Sequence, residues 1–503
     1  MNLYTNLSNS FKLYPEKEAY VFLNESTTFR ELHQKVNQFA HSLSQQGIKK
    51  GDSVALLLGN TPEFIIAYYG ALCSGATVVP VNPTFTSREI EYILSNSKAK
   101  GVIADASLHT TLTEVKLKLP TISFIVYTKA IESELAFESF VNHNVQTFAG
   151  PSIEEEDLAV ILYTSGTTGN PKGVMLTHKN LLSNAEACRD LFEMTKEDRV
   201  VTVLPIFHVF CMTVCFNASI LSGATMLLIP KFSPQDVVET ISKQQATIFA
   251  GVPTMYNFLL QIPTTKEQFS SLRISISGGA SLPVALLHKF KEHTGIDIQE
   301  GYGLSEAAPV TTFNPINGER KPGSIGVNLP NVENKVVDID GNEVPTGEVG
   351  ELIVKGPNVM KGYLGMPEET SRTIKDGWLY TGDMATMDQD GYVFIVDRKK
   401  DMILVGGYNV YPREVEEVLY DHPEIIEAAV IGVPDESYGE AVKAFVVSKN
   451  PSLIENDLKI YLEDKLVKYK RPQYIEFLAE LPKNTTGKIL RRNLRNVEQA
   501  QTK

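Results

Sequence analysis

The chain has 503 residues, too many for one hydrophobic core, so two or more domains are expected. Hydrophobic residues make up 43% and charged residues 21%, an ordinary globular composition that argues against a disordered or fibrous chain. A formal charge of −13 makes general nucleic-acid binding a poor candidate, because that binding is driven by Lys and Arg neutralising phosphates.

The first twenty residues lack a basic segment followed by an apolar one, so no secretory leader is expected. No apolar stretch approaches the roughly 20 residues needed to cross a bilayer. Residues 54–58 read as a buried strand. Asn60-Thr-Pro-Glu opens a helix with a cap residue, a proline in the first turn and an acid near the positive end of the dipole. Gly75 ends that helix, and residues 77–81 read as the next strand, a βαβ pattern that implies a parallel sheet with helices on its faces. The layout then returns. "SGATVVP" at Ser74 matches "SGATMLLIP" at Ser222, and each is followed by a polar cap, an amphipathic helix and a short apolar strand. Two similar α/β halves are expected. Cys211 and Cys215 sit four apart in an apolar run between them and suit two buried thiols on one helix face.

From about residue 321 to 396 the texture changes to short alternating runs between Gly-rich turns, which reads as small antiparallel structure, a distorted barrel. Asp397-Arg-Lys-Lys-Asp401 then packs five charges together and reads as a surface crossing. After it come a helix over 412–420, a strand at "EAAVIGVP" and a helix over 455–468. The expected division is a large domain over 1–396, a hinge over 397–400 and a small, mobile α+β domain over 401–503.

One stretch fits neither a core strand nor a helix: "YTSGTTGNPKG", from Tyr163 to Gly173. Small residues expose backbone N–H groups at little steric cost, hydroxyls add donors, and Lys172 adds charge; such a concavity binds anions. The GxxxxGK[ST] phosphate loop is not met, because Lys172 precedes Gly173 and follows Pro171. On composition alone a plain surface turn is an equal alternative.

As an ordered string the segment resembles the signature loop of adenylate-forming enzymes, which include acyl-CoA synthetases, aryl-CoA ligases, beetle luciferases and peptide-synthetase adenylation domains. Five further segments match that superfamily in order: "GGASLP" at Gly278, "EGYGLSE" at Glu300, "GWLYTGD" at Gly377, "DRKKDMILVGGYNVYPREVE" at Asp397 and "PKNTTGK" at Pro482. The resemblance covers nearly the whole chain and is strongest to bacterial-type fatty acyl-CoA synthetases. It implies a two-step reaction. A carboxylate attacks the α-phosphorus of ATP, giving acyl-adenylate and pyrophosphate; coenzyme A then displaces AMP.

The resemblance also implies roles. Thr164, Ser165, Gly166, Thr167, Thr168 and Gly169 would donate to the β- and γ-phosphates, with Lys172 beside them. Glu306 and Thr167 would hold Mg²⁺. Tyr302 would stack on adenine, Gly278, Gly279 and Ala280 would let backbone approach the base, and Glu300, Gly301, Gly303 and Ser305 complete that motif. Asp383 and Arg398 would hold the ribose. Lys488 would swing in from the small domain to bond the carboxylate and the α-phosphate, and Lys400 would be the pivot. His208 would stand between the acyl pocket and the reacting carboxylate, with Val252, Pro253, Thr254 and Met255 lining the acyl site. The catalytic set expected is thus Lys488, His208, Glu306 and Thr167. Read without the motifs, His208 and Tyr302 are core packing, Asp383 a turn residue and Lys488 a solvated tail charge. Lys468, Lys470 and Arg471 could meet the coenzyme A phosphates or form an exposed helix end.

The function expected is a cytoplasmic ATP-dependent ligase of a medium- or long-chain fatty acid and coenzyme A. Its rivals are an aryl- or other carboxylate-CoA ligase, a stand-alone adenylating enzyme for a carrier protein and, in another class, a non-catalytic nucleotide-binding protein. Acyl chain length, homodimer formation and peripheral membrane contact stay open.

Overall fold

The computed structural model describes residues 2–164, 171–485 and 487–501, and all counts below refer to these. Two large sheets carry the first three-fifths of the chain, one of eight strands and one of nine. In the first, strand Ser53–Leu57 is flanked by parallel strands Thr77–Pro80 and Ala99–Ala104. In the second, Arg199–Thr202 is flanked in the same way by Thr225–Leu228 and Ile248–Gly251. The two SGAT strings occupy equivalent places. Gly75 (φ +77°) and Gly223 (φ +69°) each reverse the chain in the left-handed region before the strand starts. The repeat seen in the sequence is therefore a repeat of topology.

Alternation explains how the first sheet is covered. Val54 and Leu56 point into one apolar cluster, Ala55 and Leu57 into another on the opposite face. The first cluster also takes Val200 and Phe249 from the second sheet. Helix Pro62–Cys73 lies in this shared core, buried at every residue from Phe64 onward. Asn60 does not cap it. Thr61 is the capping position and makes no side-chain bond. Asn60 is instead 3% exposed. Its amide donates to the carbonyls of Thr202 (3.3 Å), Leu204 (2.9 Å) and Ile229 (3.2 Å) and accepts from the Ile206 N–H (2.8 Å), pinning one half to the other. Asn60→Ala would strand the Leu204 and Ile229 carbonyls and the Ile206 N–H in a buried interface, while the Thr202 carbonyl keeps the Ile229 N–H (3.1 Å). The expected loss is about 2–4 kcal/mol, read as a fall in the thermal or urea midpoint.

Cys211 and Cys215 are buried as expected, but on a π-helical stretch, Cys211–Asn217, rather than an α-helix. The antiparallel texture after 321 builds an open five-stranded sheet, a half-barrel, whose last strand Val393–Arg398 runs through the boundary expected at 396. The same segment lends short strands elsewhere: Val327–Asn328 to the nine-stranded sheet and Gly362–Tyr363 to the eight-stranded one.

The last hundred residues form a sheet packed on helix Pro412–Tyr420 and helix Glu455–Glu463. The second helix is shorter than its pattern suggests. The Arg471 guanidinium caps it by donating to the carbonyls of Glu463 (2.6 Å) and Leu466 (2.8 Å), and Lys470 pairs with Glu414 (2.6 Å). The charged run at 397–401 is not a simple surface crossing. Asp397 and Asp401 are only 4% and 7% exposed. The Asp397 carboxylate accepts from the Arg413 N–H (2.9 Å) and faces Arg491 (3.5 Å), while Asp401 pairs with Arg495 (2.8 Å).

Candidate active site

Strands Ile248–Gly251, Ile274–Ser277 and Ile298–Gly303 run parallel or in continuation and end at one place, the carboxyl edge where open α/β sheets bind ligands. A cavity of about 980 Å³ opens there. Val252, Gly278 and Gly279 line it from the strand ends, and Gly301, Tyr302, Gly303, Ser305 and Glu306 line it from the next strand and turn. Asp383, Arg398 and Lys400 enter from the half-barrel and the turn after it. Lys488 comes from the C-terminal segment.

The described ends of the signature segment lie on two paired strands. Strand Leu158–Thr164 pairs antiparallel with Lys172–Thr177, and Thr164 stands opposite Lys172 in register. Both line the cavity. Ser165, Gly166, Thr167, Thr168 and Gly169 lie outside the described residues. The Lys172 ammonium donates to the Glu369 carboxylate and sits 5.1 Å from the centroid of the Tyr363 ring. The Tyr363 hydroxyl donates to Glu306 Oε1 at 2.9 Å. Neither Tyr363 nor Glu369 belongs to a recognised motif. The only sequence signal for Tyr363 is its place two residues after Lys361 in "MKGYLG", which reads as a turn.

Tyr302, Asp383 and Arg398 form one chain of contacts. The Tyr302 hydroxyl donates to Asp383 Oδ2 (2.5 Å), and Arg398 Nε lies 3.3 Å from Asp383 Oδ1. Asp383 and Arg398 are directly opposed in the half-barrel's strand register. Gly303 has a packing reason to be glycine, since a Cβ there would lie 2.3 Å from the Pro309 carbonyl oxygen. Gly279 has a conformational one, φ +78°.

Glu300 does not line the larger cavity. It is buried, its Oε1 accepts from the Leu282 N–H at 3.0 Å, and burial pushes its pKa up to about 7 against the opposing charge of Arg413. With Pro253, Thr254 and Ala280 it borders a second cavity of about 660 Å³, which Tyr302, Asp383, Arg398 and Lys488 also line. Of the four residues expected around the acyl chain, only Val252 lines the larger cavity, and Met255 lines neither, being packed in the core.

His208 is half-buried on the wall of the larger cavity. Burial, and then the nearby Lys488 charge, lower its pKa to about 4, so the imidazole is neutral. Its Nδ1 accepts a long bond from the Phe210 N–H (3.4 Å). Lys488 is held by Asn484, whose Oδ1 accepts from the Lys488 N–H (2.9 Å) and whose own N–H donates to the Lys488 carbonyl (2.9 Å). Asn82 reaches across to Thr485 (3.1 Å), so this turn is docked on the large part of the chain. Burial, then Arg398, lower the Lys488 pKa from 10.5 to about 8, with Asp383 opposing.

The family model described as AMP-binding enzyme matches residues 7–364, and that described as AMP-binding enzyme C-terminal domain matches residues 414–488. The chain belongs to the AMP-binding enzyme family. It is an enzyme of the adenylate-forming class, the one its motifs resemble. The family also accounts for the two-part build seen above. A long-chain-fatty-acid–CoA ligase of Bacillus subtilis is 42% identical, covering 97% of this chain and 93% of that protein. A feruloyl-CoA synthase of Amycolatopsis is 35% identical, covering 96% of each. Among solved structures, ATP-bound MatB of Rhodopseudomonas palustris superposes with a TM-score of 0.93 at 34% identity, covering 100% of both chains.

Proposed function

We propose that this enzyme converts a medium- or long-chain fatty acid to its acyl-adenylate with ATP, and then to its coenzyme A thioester. The observation that carries the reading is the make-up of the cavity. Its wall carries Lys172, Glu306, Asp383, Arg398 and Lys488, all suited to phosphates, metal or ribose, and also the apolar side chains Phe207, Phe210, Val214 and Phe313. Cations for a carboxylate head and apolar surface for a tail in one cavity match a fatty acid. The Bacillus subtilis relative supports the same acid class. The feruloyl-CoA synthase supports an aryl acid as the alternative. A panel from acetate through long fatty acids to cinnamates, assayed for pyrophosphate and for thioester, tests this. Maximal turnover of cinnamates over fatty acids would overturn the fatty-acid reading, and pyrophosphate release without thioester would overturn coenzyme A as acceptor.

In this reading Tyr302 stacks on adenine while its hydroxyl orients Asp383, which with Arg398 takes the ribose. Lys172 and the signature loop take the β- and γ-phosphates. His208, kept neutral, faces the carboxylate as a hydrogen-bonding group rather than a charge. Lys488 bonds the carboxylate and the α-phosphate during the first step. Lys400 is the pivot about which the small domain turns before the second. The four unpaired, buried cysteines and the absence of any described helix able to cross a membrane are compatible with a cytoplasmic enzyme.

Mg²⁺ fits the donor set. No cluster of three ligating side chains exists among the described residues, but Mg²⁺ needs only one or two carboxylates beside phosphate oxygens. Glu306 would be that carboxylate, oriented by Tyr363, with Thr167 as a further ligand, and the ion would neutralise phosphate charge. Glu306→Gln keeps the shape and loses the charge. Adenylation should fall by about ten- to a hundredfold, with part recovered by raised Mg²⁺. Titrating Mg²⁺ against the initial rate of pyrophosphate release checks it; an unchanged rate and Mg²⁺ profile would remove Glu306 from the metal site.

A further inference from the structure

Lys172 is not waiting in solvent. Strand Gly362–Tyr363 lies against the strand that Lys172 begins, and the Leu364 N–H donates to the Gly173 carbonyl (2.8 Å). Helix Pro367–Thr373 follows at once. Thr370 locks helix to strand, its Oγ1 accepting from the Tyr363 N–H (2.9 Å) and donating to the Met366 carbonyl (2.9 Å). That framework holds Glu369 against the Lys172 ammonium, with the Tyr363 ring on another side. The pair is shielded, with side chains 20% and 33% exposed. On the same helix, Arg372 places Nη1 4.0 Å from the other Glu369 oxygen, and its own side chain is 75% exposed.

We propose that Glu369 is the resident counter-ion of Lys172, a positioning residue that the terminal phosphates of ATP must displace and that competes with pyrophosphate for the same ammonium. The inference rests on the reading above that Lys172 meets those phosphates. A carboxylate and a polyphosphate cannot share one ammonium at bonding distance without strong like-charge repulsion. Arriving phosphates therefore turn Glu369 towards Arg372, the other cation within 4.0 Å of it among the described residues. When adenylation frees pyrophosphate, Glu369 returns to Lys172 and takes over the charge that held the product. The exchange makes and breaks only ion pairs. It gives the site an occupant of matched charge when empty, at the cost of weaker nucleotide binding.

The test compares the full-length enzyme with Glu369→Gln, Arg372→Ala, Lys172→Met and the double variant Lys172→Met with Glu369→Gln. Inorganic pyrophosphate binding with Mg²⁺ is measured by calorimetry. The ATP KM and kcat are measured by pyrophosphate release with palmitate or, should palmitate prove no substrate, with the best acid of the panel. Glu369→Gln should lower both the pyrophosphate Kd and the ATP KM about fivefold, the effect of a shielded ion pair, with a smaller change in kcat. Arg372→Ala removes the alternative partner and should move both constants the other way by about twofold. In the Lys172→Met background the Glu369 effect should vanish. Constants that stay put or rise in Glu369→Gln, or that fall equally without Lys172, would overturn the proposal. Unchanged ATP and pyrophosphate constants in Lys172→Met itself would instead overturn the phosphate reading. Should Glu369→Gln fail to fold, Arg372→Ala carries the decision: weaker binding supports the exchange and unchanged binding overturns it.

Discussion

Replacing Lys488 by Ala should slow acyl-adenylate formation by about two to three orders of magnitude, while thioester formation from supplied acyl-adenylate stays near its original rate. The first half follows from charge. Adenylation brings a carboxylate towards a triphosphate, and anions approach only where cations are already in place. Lys488 is a cation that the C-terminal segment brings to the cavity, fixed by Asn484 and docked through Thr485 on Asn82. The electrostatics add a second signature. Burial, then Arg398, lower its pKa to about 8. A lysine whose pKa is lowered by docking penalises the docked form in full below about pH 8, and the penalty fades as pH rises from there towards 10.5. Bound anions reverse the shift and restore the charged form. Binding ATP and acid at about pH 8.5 should thus take up roughly three-quarters of a proton, seen as a dependence of calorimetric heat on buffer ionisation enthalpy. Lys488→Ala should lose this uptake. Equal damage to both half-reactions would remove Lys488 from the first step.

What the sequence made legible was local. Both βαβ units, their SGAT turns and the helix Pro412–Tyr420 could be read because cap, periodicity and strand lie within thirty residues of each other. The ligand-facing motifs were legible as strings, and the fold brings most of them to one cavity. What escaped depends on distant partners. Asn60 carries a polar side chain at a helix start, so it reads as a cap; its true partners are 142 to 169 residues away. Glu369 meets Lys172 across 197 residues through a two-residue strand that no periodicity could announce. Asp397 and Asp401 read as solvated because nothing nearby in sequence shows that Arg413, Arg491 and Arg495 fold over them. Glu300 shares a motif with Tyr302 and lies two residues before it on the same strand, yet its carboxylate is taken by the Leu282 amide, a partner no local pattern announces.

Lys400→Pro should separate the two half-reactions in the opposite sense from Lys488→Ala. One cavity must serve both steps, and in the proposed reading the small domain turns between them, moving Lys488 aside so that a thiol can reach the adenylate. The chain offers little slack for such a turn. Strand Val393–Arg398 is held in the half-barrel up to Arg398, and helix Pro412–Tyr420 is anchored to Asp397 through the Arg413 amide. Between them lies the turn closed by the Asp401 N–H on the Arg398 carbonyl (2.9 Å), with Lys399 tied to the Gly382 carbonyl (3.0 Å). Lys400 is the residue of that turn whose own amide meets no acceptor among the described residues. Proline there removes no hydrogen bond in the docked arrangement, although it narrows Lys399 and should cost adenylation about two- to fivefold. Rotation is another matter. A pivot absorbs a large change in one or two backbone angles, and proline fixes φ near −65°. Thioester formation from supplied adenylate should fall by about a hundredfold or more, as for a conformational step made rate-limiting. A melting curve shows whether the variant is folded. If both half-reactions then fall by the same modest factor, Lys400 is a charged turn residue and the pivot lies elsewhere, with the buried Asp397–Arg491 contact the next place to look.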